Sequence, residues 1–295
     1  MNSADIVIIG AGPAGISAAI QLKRYGLEPV LLEKNEAGGL LRNAHRVENY
    51  PGFPDGISGT ELVELFKKHL ENAGIEVQYE KVLKLVHKKG IFVVKTDRKE
   101  ITCRMVIIAS GTRPRLFKGV FIPEEAEKDI FYEIYPIRQI NDKKIVIIGA
   151  GDAAFDYALN LAEKNEVIIL NKGQKVKCLP LLYERSMATK NITYLQNAHI
   201  KKIERSGDEW VLTCQNKVKE WEMIVSHLVV AIGREPSLDF IGKGLAKKLE
   251  ILERSKQLYL IGDVRNDIYR QTAISAGDGI RAAMGIYTKM KEEKN

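Results

Sequence analysis

Cysteine is scarce in this 295-residue chain: Cys103, Cys178 and Cys214 are all it has, far apart. With no CxxC pair, no zinc-ligand spacing and no disulfide framework, the usage fits a reducing compartment, and a cytoplasmic location is the expectation. No apolar run approaches the roughly 20 residues that span a bilayer, so no membrane partner is expected. The five histidines, His45, His69, His87, His199 and His227, are scattered and form no HExxH pair, which leaves metal and hydrolase chemistry without a footing. Aromatic residues make up 7% and nowhere alternate with a basic run, so no nucleic-acid stripe is present. Lysine and arginine nonetheless outnumber the acids 45 to 38, giving a net charge of +7 and a pI near 9.1. Such a balance permits an acidic protein partner, nucleic acid or an anionic small ligand and does not choose among them. Asp5 precedes the first apolar stretch, which Gly and Pro soon interrupt, so the N-terminus reads as structure rather than a secretion signal.

What is present is the composition of a globular protein, 45% apolar and 28% charged, with a mean hydropathy of −0.16. The length favours two domains. Short apolar runs at residues 6–9, 30–32, 105–109, 145–148, 167–170, 228–232 and 258–261 suit strands covered on both faces of a parallel sheet. Between several of them, residues 16–25, 59–73 and 152–164 carry apolar positions at three-to-four spacing, with Gly26 and Gly74 placed as C-terminal caps. From residue 77 to 108, and again from 198 to 214, the pattern becomes alternating and strand-like. Strand, glycine loop, helix and strand at residues 5–33 recur at 144–171, an internal duplication. The segment from Tyr259 to Tyr287, a strand, Gly262-Asp263 and a small-residue helix from about Ala273, reads as a return to the first domain. The predicted fold is therefore α/β, two Rossmann-like three-layer dinucleotide-binding domains with one inserted in the other. Their bounds are 1–112 with 237–295, and 113–236.

The first loop holds Gly10, Gly12, Pro13, Ala14 and Gly15, after an apolar strand and at the start of a helix. The first glycine permits the tight turn, the second a close approach of backbone to a pyrophosphate, and the third close packing of helix on strand. Pro13 lacks only an N–H that a first helical turn leaves unused, and the helix N-terminus offers donors and positive dipole to phosphate. Glu33 ends the next strand, where a carboxylate accepts from ribose hydroxyls. The second loop, Gly149, Gly151, Asp152, Ala153 and Ala154, replaces the third glycine by alanine, as the fingerprint allows. Its second strand ends in Asn171-Lys172 without a carboxylate, followed by Lys175 and Lys177. An acid there repels a 2′-phosphate and lysines attract one, which favours NADP over NAD.

Beyond the two loops, Gly38-Gly39-Leu40, Val47 to Pro54 (VENYPGFP), Ala109-Ser110-Gly111, Ala231-Ile232-Gly233-Arg234, and Gly262-Asp263 followed by Tyr269-Arg270-Gln271-Thr272-Ala273 occur in order. With these residues the chain resembles the thioredoxin-reductase-like branch of the two-dinucleotide-binding flavoproteins over essentially its whole length. The resemblance implies FAD in the first domain and NADP, or NAD, in the second. It implies that Asn49 lies near the isoalloxazine, that Ala109 to Gly111 and Gly233 mark the crossings between domains, and that Asp263 accepts from the ribityl hydroxyls. The helix after Gln271 and Thr272 would then aim its N-terminus at the flavin N1–C2=O edge; for Arg270 a surface ion pair is an equally ordinary role. A homodimer is implied in the same way.

The departure is the dithiol. Where members that reduce thioredoxin carry CxxC ahead of the second glycine loop, this sequence has Tyr132 and Tyr135. Neither can form a thiolate or a disulfide. In this the segment resembles the ferredoxin–NADP reductases of thioredoxin-reductase type, with Tyr132 packing on the flavin or simply standing in an interdomain strand. His45, in the flavin-side loop, is a further candidate for substrate contact, and Cys103 is expected in the core. The expected function is an FAD-dependent NAD(P)H oxidoreductase that passes electrons to an external acceptor, with an acidic one-electron carrier such as ferredoxin or flavodoxin as the first choice. The alternatives are reduction of a quinone or small disulfide, and an FAD-binding sensor or partner protein without turnover.

Overall fold

A computed structural model describes residues 2–293. Met1, Lys294 and Asn295, which the expected bounds include, lie outside the described residues. The chain divides into two compact units, the first made of residues through Arg42, Val47–Arg113 and those from Glu235 on, the second of Asn43–Arg46 and Pro114–Arg234.

The chain enters the first unit through β1 (Asn2–Ile9), α1 (Pro13–Arg24), β2 (Val30–Glu33), α2 (Gly59–Asn72) and β3 (Val77–Tyr79), then continues through β4 (Val82–Lys88), β5 (Ile91–Thr96) and β6 (Glu100–Ile108), leaving along β7 (Thr112–Pro114). The second unit comprises β8 (Ile130–Phe131), β9 (Lys144–Ile148), α3 (Asp152–Leu161), β10 (Glu166–Asn171), α4 (Pro180–Ala188), β11 (Ile192–Gln196), β12 (His199–Ser206), β13 (Glu209–Gln215), β14 (Glu220–Val225) and β15 (His227–Val230). The return runs along β16 (Arg234–Pro236), α5 (Lys243–Ala246), α6 (Leu249–Arg254) and β17 (Leu258–Leu260) to the long helix α7 (Thr272–Glu292).

In the first unit β3, β2, β1 and β6 lie side by side and parallel; β5 and β4 continue the sheet antiparallel, while the C-terminal end of β6 also pairs with β17. Alternation along β1 splits its side chains between two cores. Ile6 and Ile8 pack with α1 and α7, whereas Val7 and Ile9 pack with Phe92, Val94, Leu245 and Leu252. Burial on both faces explains why these strands read as unbroken apolar runs rather than as alternation. The close fit of α1 on α7 depends on small residues: a Cβ at Gly279 would meet the Ala14 carbonyl oxygen at 2.2 Å. A capping box of Ser58 and Glu61 starts α2, and left-handed glycines, Gly26 (φ 71°) and Gly74 (φ 63°), come after the ends of α1 and α2.

The second unit repeats the plan with the parallel order β11, β10, β9, β15, β8. Ile145, Ile147 and Val229 pack on α3, while Val146, Ile168 and Leu228 pack on Trp210, Leu212 and Cys214 of the antiparallel β12–β13–β14 sheet. The second unit is thus three-layered, helix over parallel sheet over antiparallel sheet, while in the first the sheet lies between α1 with α7 on one face and Leu245 of α5 and Leu252 of α6 on the other. Tyr132 and Tyr135 do not stand in a strand: β8 ends at Phe131 and Tyr135 opens a short 3-10 turn, because Pro136 cannot donate to a ladder.

Candidate functional site

The C-terminal ends of the first unit's parallel strands gather the glycines. Gly10 (φ 106°) ends β1 with its N–H on the Leu32 carbonyl at 2.8 Å, and a Cβ there would lie 2.4 Å from the Ala109 oxygen. A Cβ on Gly15 would lie 1.9 Å from the Gly10 oxygen. These two glycines are demanded by the fold itself. Gly12 is different, since a Cβ there would meet no protein atom within 4 Å. Gly12 also caps α1 without a side-chain hydrogen bond, and no acid lies in the first turn, so the helix supplies no cap of its own for its first N–H groups. Gly39 approaches Gly12 from the other side, its Cβ position 3.2 Å from the Gly12 Cα, and the Gly38 N–H bonds the Ala11 carbonyl at 2.7 Å.

Glu33 is buried beside this loop. Its Oε2 accepts from the Ala11 N–H at 2.8 Å and its Oε1 from the Asn35 N–H at 3.0 Å, leaving acceptor capacity on both oxygens. Leu40 lies in the 3-10 turn Gly39–Asn43, which Arg42 ties down by donating to the Gly39 and Glu36 carbonyls. Gly262 (φ 69°) packs against Ala14, and Asp263 accepts from the Ser275 hydroxyl at 3.3 Å. Asn49 donates to the Gln271 side chain at 2.9 Å, and Gln271 caps α7, whose first turn begins with Thr272 and Ala273. The Arg270 Nε is buried without a hydrogen-bond partner among the described residues. Ala109 bonds the Ile9 carbonyl at 2.8 Å, and the Gly111 carbonyl accepts from Ser237 at 3.0 Å. A glycine cradle, an uncapped helix start, a buried carboxylate and an orphaned guanidinium nitrogen fit a dinucleotide such as FAD.

Asp278 was not singled out from the sequence. Its carboxylate accepts from the Gly262 N–H at 3.2 Å and from Asn266 at 2.6 Å, and it pairs with Arg281 at 2.6 Å, so it fixes the turn that presents Asp263. The signal available was an acid isolated among the small residues of α7.

In the second unit, Gly149 (φ 139°) would press a Cβ to 2.3 Å from the Ala231 oxygen, whereas Gly151 has open space. Ala154 is buried and Ala153 exposed. Asp152 turns its carboxylate to the Leu179 N–H at 2.8 Å, and the Lys177 N–H bonds the Ala150 carbonyl at 2.8 Å. Lys172, Lys175 and Lys177 are exposed, without an ion-pair partner among the described residues. Gly233 (φ 109°) accepts from the Arg115 N–H at 3.0 Å. This loop fits a phosphorylated dinucleotide.

Around the tyrosines, the Tyr132 hydroxyl accepts from the Phe117 N–H at 3.1 Å, and the Tyr135 N–H bonds Asn43 Oδ1 at 2.9 Å while Arg138 lies over its ring. His45, placed by sequence in the flavin-side loop, groups with the second unit, its N–H on Asp156 Oδ2 at 3.0 Å. None of the cysteines is a ready thiolate. Burial pushes Cys103 up to about 12 and Cys214 up to about 11; Cys178 is raised by burial and by the charge of Asp152. Among the described residues no group of three or more histidine, cysteine or acidic side chains could hold a metal ion, and no helix is long and apolar enough to cross a membrane.

Two duplicated dinucleotide folds, each with its glycine cradle, define a two-dinucleotide-binding flavoprotein. The chain belongs to the pyridine nucleotide-disulphide oxidoreductase family, which matches residues 4–279. It is 31% identical over 311 residues to thioredoxin reductase from Chlamydia trachomatis, covering 96% of this chain and 97% of that protein. To thioredoxin reductase from Bacillus subtilis it is 29% identical over 304 residues, with 98% and 95% covered. The crystal structure of Lactococcus lactis thioredoxin reductase superposes with a TM-score of 0.85 at 26% identity, covering 98% of this chain and 99% of that one. The protein is an NAD(P)H-dependent flavoprotein oxidoreductase, and FAD and NADPH are the cofactors of its family.

Proposed function

We propose that this protein is an FAD-dependent NADPH oxidoreductase that delivers electrons from flavin directly to an acceptor outside the chain, with no dithiol of its own in between. The observation that carries the reading is the pair Tyr132 and Tyr135 at the dithiol positions, together with three free cysteines of which Cys103 and Cys214 are buried. A relay by disulfide needs one thiolate to attack and a second to resolve. Bound FAD would supply the redox chemistry, exchange of a hydride equivalent for electrons released singly or in pairs. The chain's own residues bind and orient: Gly12 and the α1 N-terminus for the pyrophosphate, Glu33 for a ribose, Asp263 for the ribityl chain, and Gly151 with Lys172 and Lys177 for NADPH. Asn49, Leu40, Gly39, Gln271, Thr272 and Ala273 line the same reading on the flavin side. A homodimer belongs to this proposal through the resemblance.

The relatives are thioredoxin reductases by name, and nothing in those names supports ferredoxin or flavodoxin as the acceptor. The proposal therefore rests on how the electrons leave rather than on that carrier. An anaerobic titration tests it: one equivalent of NADPH should bleach the flavin absorbance fully, whereas a chain holding its own disulfide would consume two. Consumption of two equivalents overturns the reading, as does a flavin that neither NADPH nor NADH reduces. Turnover with thioredoxin, ferredoxin, flavodoxin, a quinone and a small disulfide then sorts the acceptor class.

A further inference from the structure

The lysine loop of the second unit is held by an amide. Asn171, the last residue of β10, is buried, and its carboxamide is used three ways. Oδ1 accepts from the Gly173 N–H at 3.0 Å, and Nδ2 donates to the Lys175 carbonyl at 3.2 Å and to the Tyr194 hydroxyl at 2.8 Å. Tyr194, on β11, is fixed in turn by the rings of Phe155 and Tyr183, with centroids 5.8 and 6.1 Å away. At its far end the loop is joined to the glycine turn by the Lys177 N–H on Ala150 and the Leu179 N–H on Asp152. Between these anchors Lys172, Lys175 and Lys177 present three ammonium groups with no carboxylate to neutralise them among the described residues.

A loop whose backbone is anchored at both ends fixes the points from which its lysines project, and cations set on such a frame recognise a dianion better than the same cations on a mobile chain. A carboxylate at position 171 would repel a phosphate and could not donate to the Lys175 carbonyl. We propose that Asn171, itself set by Tyr194, is the positioning residue that shapes this loop for the 2′-phosphate of NADPH and so sets the preference for NADPH over NADH. This rests on the NADPH reading of the proposed function and deepens it.

The experiment compares wild type, Asn171→Asp and Tyr194→Phe, all lysines retained, in the flavin-loaded protein. Calorimetry measures binding of adenosine 2′,5′-bisphosphate, which carries the 2′-phosphate, and of AMP, which lacks it. Asn171→Asp should weaken the bisphosphate by about tenfold and leave AMP within about twofold; Tyr194→Phe, which changes no charge and deletes one hydrogen bond, should weaken the bisphosphate about threefold. In turnover the change should fall on KM for NADPH rather than on kcat. Equal weakening of both probes would mean a merely structural role and overturn the inference, as would no weakening of either. If Asn171→Asp does not fold, Tyr194→Phe decides by the same criterion. A wild type that binds neither probe and is not reduced by NADPH would sink the NADPH reading, and this inference with it; a wild type that prefers the bisphosphate, with variants that keep the preference, sinks only the role of Asn171.

Discussion

The Ala11 N–H donates to the Glu33 Oε2 at 2.8 Å, which ties the middle of the first glycine loop to the end of the neighbouring strand. One carboxylate thereby serves loop geometry while keeping lone pairs for a ribose. Glu33→Ala should lower FAD affinity by about tenfold, equivalent to about 1.4 kcal/mol, and destabilise the flavin-free protein by about 1–3 kcal/mol through the orphaned Ala11 donor. Glu33→Gln, which can still accept from Ala11, should restore most of the stability. FAD content after purification and unfolding of the apoprotein measure the two effects; unchanged flavin affinity in Glu33→Ala would remove the ribose role.

Gly12 and Gly15 separate binding from folding. A methyl at Gly15 collides with the Gly10 carbonyl, so Gly15→Ala should cost about 3 kcal/mol or more of stability. Gly12 has an extended backbone that alanine accepts (φ −79°) and open space around it. Gly12→Ala should therefore alter unfolding by less than about 1 kcal/mol yet weaken FAD binding at least about tenfold. Urea unfolding of the apoproteins and flavin titration read both. Equal loss of stability in the two variants would contradict the division of labour.

Both glycine loops were legible because local patterning specifies them: an unbroken apolar run of a doubly covered strand, glycines at fixed offsets, and small residues opening a helix. The parts that escaped depend on partners distant in sequence. Asn43 is 2% exposed because it meets Tyr135 and Glu133, which no periodicity announces. The same holds for Asp278 beneath Gly262 and for Asn171 against Tyr194. Sequence showed Asn171 only as a missing acid, whereas its three hydrogen bonds make it a loop organiser. Of the two readings of Tyr132 and Tyr135, the interdomain strand failed for a local reason that was readable, the proline immediately after Tyr135.

The thiols give a third prediction. At pH 8, groups that titrate near 11 or 12 are ionised in fewer than about one molecule in a thousand, and only thiolates alkylate at useful rates. NADPH-reduced Cys178→Ser protein treated with iodoacetamide at pH 8 should therefore retain flavin reduction and acceptor turnover, since the remaining Cys103 and Cys214 are buried. Cys178 is half-buried, and its near-isosteric replacement by serine should change turnover by less than about twofold. Reduction-dependent inactivation would reveal a redox-active thiol and defeat direct transfer from the flavin.

Asp156 on α3 gives a stability test with a defined sign. Burial raises its carboxyl, the His45 N–H lowers it and the charge of Asp152 raises it again, for a value pushed up to about 6 from 3.8; Glu163, 3.8 Å from His45 Nδ1, is the other acid at this contact. A carboxyl that titrates higher when folded binds its proton more tightly in the native state. Its contribution to stability is complete below pH 3.8, erodes as pH rises from there to about 6, and is a constant penalty above. Asn keeps an oxygen for the His45 N–H and carries no charge. Asp156→Asn should consequently be more stable than wild type at pH 7 by about 3 kcal/mol, with the gap closing as pH approaches 4. Urea midpoints across pH 4 to 8 measure it, and a gap that is reversed, or that does not change with pH, would mean that Asp156 is ionised at no cost in the native protein.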